Sequence, residues 1–195
     1  MTDPYAEAIQ RFQELLARAM RSERPDPTAM ILATADREGR PSSRAILLKA
    51  VDERGFVFYT NTLSRKGRQL ADNPWASLTF FWPSLREQVH VDGRVQRVSP
   101  AEADDYWVTR PRDSQLGGWA SSQSDPMDSR DALTARVEAL AHEHAGRDVP
   151  RPEHWSGYRV VPHRIEFWRA GEHRLHHRTC YTLGEGGWQV SLLYP

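Results

Sequence analysis

The segments Ala29-Met-Ile-Leu-Ala-Thr-Ala35, Asp36-Arg-Glu-Gly-Arg-Pro41, Ser43-Arg-Ala-Ile-Leu-Leu-Lys-Ala-Val51, Asp52-Glu-Arg-Gly55 and Phe56-Val-Phe-Tyr-Thr-Asn61 decide the fold. Three apolar, β-compatible runs alternate with two short turns, which predicts an antiparallel meander. Upstream, Ile9, Phe12, Leu15, Leu16 and Met20 recur at helical spacing and predict an amphipathic helix. Arg21 to Pro27 is a polar, Pro-containing connector. Residues 1–25 are therefore set apart as an N-terminal helix and connector, and 26–195 as a single domain.

Downstream, Ser64 to Asp72 reads as a short helix capped by Ser64 and stopped by Asn73-Pro74. Trp75 to Trp82 and Glu87 to Val98 are two further strands. Ser99-Pro100 opens a helix that runs to Arg110 and is ended by Pro111. Ser121 to Pro126 is a polar loop, and Leu133, Val137, Leu140, Ala141 and His144 mark another amphipathic helix. Strands return at Tyr158 to Trp168, His173 to Leu183 and Trp188 to Tyr194. Antiparallel strands with inserted helices predict an α+β fold, most economically a closed or nearly closed barrel with helices outside. No glycine-rich strand-to-helix turn is present, so a nucleotide-like ligand must be held in another way.

The 26 basic and 26 acidic residues give a formal net charge of zero, which argues against a general nucleic-acid or membrane-surface binder. The basic residues are clustered, a pattern suited to small anionic ligands. Cys180 is the single cysteine, so no intrachain disulfide forms. The first residues are charged and helical, with no apolar run of membrane length, and the protein reads as soluble and cytoplasmic.

Four basic clusters sit at strand ends and helix starts. Arg44 and Lys49 flank an apolar run, and strict alternation places them on opposite faces unless a bulge or twist intervenes. Ser64-Arg65-Lys66 lies at a helix N-terminus, where free N–H groups and the helix dipole favour an anion. Tyr106 and Arg110 are four residues apart on one helix face, with Ser114 beyond the Pro111 break. On a strand, Arg174, His176 and Arg178 share one side. Solvated surface charge accounts for any one of these clusters taken alone. His173, His176, His177 and Cys180 match no zinc spacing, and no Gly-x-Ser-x-Gly elbow exists.

In order along the chain, Arg44–Lys49, Tyr59-Thr60, Ser64-Arg-Lys66, Arg110-Pro-Arg-Asp-Ser114, Gln123-Ser124 and Glu166-Phe-Trp168 with Arg174, His176 and Arg178 resemble the pyridoxamine 5′-phosphate oxidase family of flavin enzymes. The resemblance runs from Asp26 to Pro195. It implies an antiparallel FMN-binding split β-barrel of Greek-key type with flanking helices, working as a homodimer with FMN at the interface. The implied reaction oxidises pyridoxamine or pyridoxine 5′-phosphate to pyridoxal 5′-phosphate and reduces O2 to hydrogen peroxide, with no metal, nucleic acid or membrane as partner.

Carried over by motif, the implied FMN contacts are Arg44, Tyr59, Thr60, Arg65, Lys66, Gln88, Gln123, Ser124, Trp168 and Arg178. The implied clamp on the substrate phosphate is Lys49, Tyr106, Arg110 and Ser114. Arg174 and His176 are the implied catalytic pair, over the substrate ring at the reacting carbon. Two phosphates of about −1.5 to −2 charge each would match the division of the basic clusters into two sets. Arg169, His177 and Leu192 depart from the family pattern, which usually has Gln, His or Gly, then Asp, then Arg at those places.

Two other readings use the same residues. One is a split-barrel flavoprotein with a different substrate, which the complete clamp argues against. The other is a non-catalytic FMN or pyridoxal phosphate carrier, which the presence of both Arg174 and His176 argues against. A plain structural dimer leaves the ordered motifs unexplained.

Overall fold

In the computed structural model, which describes residues 3–195, Asp3 caps the first helix by accepting the Tyr5 N–H at 3.1 Å. That helix, α1 (Pro4–Ser22), buries Ala8, Ile9, Phe12, Leu15 and Ala19. The helix expected from the sequence is present with one change of face. Met20 is 49% exposed, because the smaller Ala19 occupies the position against the sheet. Phe12 meets Phe56 and Phe80 edge-on at 4.8 and 4.9 Å, so α1 shares the main core with the strands. Truncating such a buried phenyl ring to Ala costs about 3–5 kcal/mol.

The strands are β1 (Ala29–Ala35), β2 (Pro41–Leu47), β3 (Ala50–Asp52), β4 (Gly55–Asn61), β5 (Trp75–Trp82), β6 (Glu87–Arg97), β7 (Trp155–Arg169), β8 (His177–Gly184) and β9 (Gly187–Leu192). The further helices are α2 (Arg65–Asp72), α3 (Pro100–Val108), α4 (Arg112–Ala120) and α5 (Arg130–Glu143). Hydrogen bonding follows the order β2-β1-β5-β6-β7-β4-β3, with β8 added to β7 and β9 to β8. Every pairing is antiparallel.

Two irregularities turn this sheet into a split barrel. The strand expected over Ser43 to Val51 is two strands, broken at Leu48-Lys49. Leu48 N–H donates to the Thr28 carbonyl at 2.9 Å and Lys49 N–H to the Val57 carbonyl at 2.8 Å. One bond reaches the residue before β1 and the other reaches β4, towards opposite ends of the strand order, so one dipeptide links the two sides of the sheet. The second irregularity is in β7. Its first part pairs with β4 up to Val160 and its last part pairs with β8 from Arg164 onward. Between them the register with β6 shifts at Asp92/Gly93. A Cβ on Gly93 would lie 2.3 Å from the Val161 carbonyl oxygen, so only glycine admits this close approach.

Three other expectations change. Helix α4 appears between the Pro111 break and the Ser121 loop, where the sequence reading assigns no element. It buries Gln115, Leu116 and Ala120, and Leu116 joins Trp107, Val149 and Trp155 in a second core, so packing overrides weak propensity. Helix α3 ends at Val108, which leaves Arg110 past its C-terminus. The last change concerns Arg174, His176 and Arg178. Glu172 to Arg174 form a single 3-10 turn with His173 (φ 51°) and Arg174 (φ 65°) in the left-handed region, and β8 begins only at His177. Strand alternation therefore does not place these three residues together.

Candidate active site

The break at Leu48-Lys49 has a direct consequence for chemistry. It brings Lys49 to the same cleft as Arg44, which uninterrupted alternation would have prevented. This cleft of about 930 Å3 is also lined by Tyr59, Thr60, Arg65, Lys66, Tyr106, Arg110, Ser114, Gln123 and Ser124.

One end is built on the start of α2. Ser64 Oγ accepts the Gly67 N–H at 3.3 Å and donates to the Asn61 carbonyl at 2.7 Å, fixing the helix end. Lys66 is 7% exposed, and its Nζ donates to Thr60 Oγ1 at 3.1 Å, Ser64 Oγ at 3.2 Å and Gln123 Oε1 at 2.8 Å. All three acceptors are neutral. Burial, with the nearby Arg44 charge, lowers the Lys66 pKa to about 8. On the β2 side, Arg44 donates to Thr34 Oγ1 at 2.7 Å, Ser42 Oγ at 2.6 Å and the Leu32 carbonyl at 3.2 Å. Burial, then the charge of Arg65, lowers its pKa.

The other end is aromatic. Tyr59 stacks on Tyr106 at 4.0 Å and on Trp155 at 5.3 Å. Burial pushes the Tyr59 hydroxyl up to about 12, so it stays a neutral hydrogen-bonding group. The Arg110 guanidinium lies over the Trp107 and Trp155 rings at 4.9 and 4.7 Å. Its Nη1 is buried without a hydrogen-bond partner.

Among the described residues, Arg44, Lys49, Arg65, Lys66 and Arg110 form no ion pair with a carboxylate. Lys66 is buried and Arg44 and Arg110 are half-buried; such cations without counter-charge are costly, and a bound anion would offset that cost. The orphaned Arg110 nitrogen and the acid-free surroundings of Lys66 thus each fit a phosphate group in the cleft.

Gln88, Trp168, Arg174, His176 and Arg178 do not line this cleft. Gln88, Trp168 and Arg178 stand in register across β6, β7 and β8. The His176 ring lies 4.6 Å from that of Trp168, and its Nδ1 accepts the Gly171 N–H at 3.2 Å, which leaves Nε2 to carry the proton of the neutral ring. A Cβ on Gly171 would meet the Leu175 carbonyl oxygen at 1.9 Å, so the turn presenting Arg174 and His176 requires glycine there. Arg178 Nε donates to Glu166 Oε1 at 2.7 Å, and Arg164 donates to Glu166 Oε2 at 2.5 Å. Burial opposes ionisation of Glu166, but these two guanidiniums hold its pKa below the usual carboxylate value. Within one chain, the residues carried over from the resemblance form two separate groups.

Sequence reading missed Asn61, Ser121 and Trp155, which also line the cleft. Asn61 Nδ2 donates to the Ser121 carbonyl at 3.3 Å and so docks the loop that carries Gln123. Pairing of Trp155 with Asn61 on β4 brings its ring to Tyr59, a register that strand alternation alone does not supply. Among the described residues, no group of three or more His, Cys, Asp or Glu side chains is arranged to hold a metal ion. No helix among them is long and apolar enough to cross a membrane.

A barrel opened along β7, with unpaired cations and stacked aromatics in its cleft, defines the class: a split-barrel protein with a cleft suited to an anionic, aromatic ligand. The sequence profile described as pyridoxamine 5′-phosphate oxidase matches residues 16–144, and that of the pyridoxine 5′-phosphate oxidase C-terminal dimerisation region matches residues 155–195. The chain belongs to the pyridoxamine 5′-phosphate oxidase family, a family of oxidoreductases. The pyridoxine/pyridoxamine 5′-phosphate oxidase of Myxococcus xanthus (strain DK1622) is 55% identical over 96% of this chain and 91% of its own length. That of Acaryochloris marina (strain MBIC 11017) is 47% identical over 100% and 89%. Among solved structures, PhzG from Burkholderia lata 383, in complex with tetrahydrophenazine-1-carboxylic acid, superposes with a TM-score of 0.92 at 35% identity, covering 100% of this chain and 98% of its own.

Proposed function

We propose that this protein oxidises pyridoxamine 5′-phosphate and pyridoxine 5′-phosphate to pyridoxal 5′-phosphate with FMN as cofactor, reducing O2 to hydrogen peroxide. The observation that supports this reading is that Arg44, Lys49, Arg65, Lys66 and Arg110 line one cleft, with Arg110 Nη1 buried and unpaired and Lys66 held only by neutral acceptors. Arg44, Arg65 and Lys66, with Thr60, Gln123, Ser124 and the start of α2, would hold the FMN phosphate. Lys49, Tyr106, Arg110 and Ser114 would hold the substrate phosphate. Bound there, FMN would supply the two-electron acceptor for the substrate and the route for those electrons to O2.

The chain's own residues bind and orient. Anchoring the remote phosphate holds the reacting carbon in place, and positioning of this kind supplies much of the rate. Arg174 and His176 would lie over the substrate ring, with His176 presenting its Nε2 proton because Nδ1 is occupied by Gly171. In this reading the chain works as a homodimer, and the group containing Gln88, Trp168, Arg174, His176 and Arg178 completes the cleft of the other subunit with FMN between them. The match to a dimerisation region over residues 155–195, which include β7 and β8, supports this. A cytoplasmic location belongs to the same reading.

The likeness to PhzG supplies a second reading, a split-barrel oxidoreductase acting on a fused-ring carboxylate. Two sets of cations favour a phosphorylated substrate. The test is anaerobic: FMN-loaded protein is mixed with pyridoxine or pyridoxamine 5′-phosphate and the flavin absorbance followed. Bleaching that reverses on admitting air, with pyridoxal 5′-phosphate formed, is the expected result. Protein that holds FMN yet stays yellow with both substrates would overturn the substrate assignment.

A further inference from the structure

The substrate-phosphate clamp proposed above is carried by two elements distant in sequence. Lys49 leads into β3, and Tyr106 and Arg110 lie at the end of α3 and just past it. One buried side chain ties these elements together. Arg159, with its side chain 4% exposed, donates through Nη1 to Asp52 Oδ1 at 2.8 Å and through Nη2 to Glu102 Oε1 at 2.6 Å. Asp52 closes β3, three residues after Lys49, and Glu102 lies one helical turn before Tyr106.

The root of Arg159 is fixed by pairing with Val57 on one side and Gln96 on the other, in the interior of the sheet. Glu102 is also committed to this contact. Ser99-Pro-Ala-Glu102 has the spacing of a capping box, and Ser99 Oγ accepts the Glu102 N–H at 3.1 Å as that motif requires. The Glu102 carboxylate, however, turns to Arg159 instead of back to the cap. The Glu102 carbonyl accepts the Tyr59 hydroxyl at 3.3 Å, so the same residue also fixes the ring that stacks on Tyr106.

We propose that Arg159 is a positioning residue for substrate-phosphate recognition: it sets the spacing between Lys49 and the Tyr106/Arg110 pair while touching neither substrate nor FMN. A buried guanidinium forking to two carboxylates on different elements fixes both distance and orientation, which a lysine ammonium cannot reproduce. The inference rests on the reading of Lys49, Tyr106, Arg110 and Ser114 as a phosphate clamp.

The test compares wild type, Arg159→Lys and Glu102→Gln, each loaded with FMN. Turnover is measured with pyridoxine 5′-phosphate and with unphosphorylated pyridoxine, FMN affinity by fluorescence, and binding of inorganic phosphate to the FMN-loaded protein by calorimetry. Both variants should raise KM for pyridoxine 5′-phosphate by roughly tenfold, since displacements of this kind cost about 10²-fold at the extreme. Phosphate binding should weaken in parallel, while FMN affinity and activity on pyridoxine stay within about twofold of wild type. Equal loss on both substrates, or unchanged phosphate binding, would overturn the proposal. Should Arg159→Lys fail to fold, the milder Glu102→Gln carries the test alone. A wild type that binds phosphate but oxidises neither substrate would defeat the proposed function, while the phosphate arm would still decide the role of Arg159.

Discussion

Lys66 and Gln123, 57 residues apart in sequence, meet at 2.8 Å between Nζ and Oε1, and the same amide oxygen accepts the Thr60 hydroxyl at 2.9 Å. A neutral amide oxygen therefore stands where a buried ammonium would ordinarily find a carboxylate. Lys66→Met should weaken FMN binding by roughly 10- to 100-fold, the range for losing a hydrogen bond to a charged group. Without ligand, the same variant should be at least as stable as wild type, because it removes an uncompensated buried charge. Fluorescence titration and chemical unfolding of the cofactor-free protein check the two halves.

The lowered pKa of Lys66 has a defined sign in stability. The folded protein releases this proton near pH 8, whereas the unfolded chain holds it to about 10.5. Between those values the unfolded chain binds more protons, so the contribution of Lys66 to cofactor-free stability rises with pH across this window. Bound phosphate should abolish the rise by keeping the ammonium charged. Urea unfolding of wild type and Lys66→Met at pH 7.5 and 9.5, with and without FMN, measures the difference.

Arg110 should not tolerate lysine. Its guanidinium carbon sits 4.9 and 4.7 Å from the Trp107 and Trp155 ring centres with Nη1 unpaired, a role for a broad, weakly hydrated cation that a compact ammonium does not reproduce. Arg110→Lys should raise KM for the phosphorylated substrate by about tenfold or more, and FMN affinity should hold. Steady-state kinetics beside a flavin titration separate these outcomes.

Gly171→Ala should damage turnover more than cofactor binding. The added methyl group would collide with the Leu175 carbonyl at 1.9 Å and force the turn bearing Arg174 and His176 to rearrange. The expected result is a kcat drop of at least about tenfold, since misplacement near the reacting atoms is costly. A Tm close to wild type would show that the damage is local. Unchanged kcat would show that this turn plays no part in the reaction.

Much of the fold was legible because local rules and tertiary structure agreed. The apolar runs of β1 and β4 between turns, the Ser64 and Ser99 caps and the α1 stripe all followed from composition, periodicity and capping chemistry. The rest depended on interactions that no local window contains. Nothing in Leu48-Lys49 announces a break, because its cause is a pair of bonds to Thr28, just before β1, and to Val57 in β4, strands far apart in the sheet order. Helix α4 was hidden because its stability comes from Leu116 in a distant aromatic core. In the candidate site, cation types and their order were readable, but the meeting of Arg44 and Lys49 in one cleft was not. The turn at Arg174 was misread as strand because left-handed backbone at two non-glycine residues is a tertiary outcome.

The separation of the site residues into two groups on each chain has a genetic corollary. If each cleft is completed by the second subunit, Lys66→Met and Arg174→Ala damage different halves of a shared site. Two inactive alleles expressed together should then complement. In a mixed dimer one site collects both lesions while the other is wholly intact, so random assortment should restore about a quarter of wild-type activity. Two lesions within one group, such as Lys66→Met with Arg44→Met, should never rescue each other.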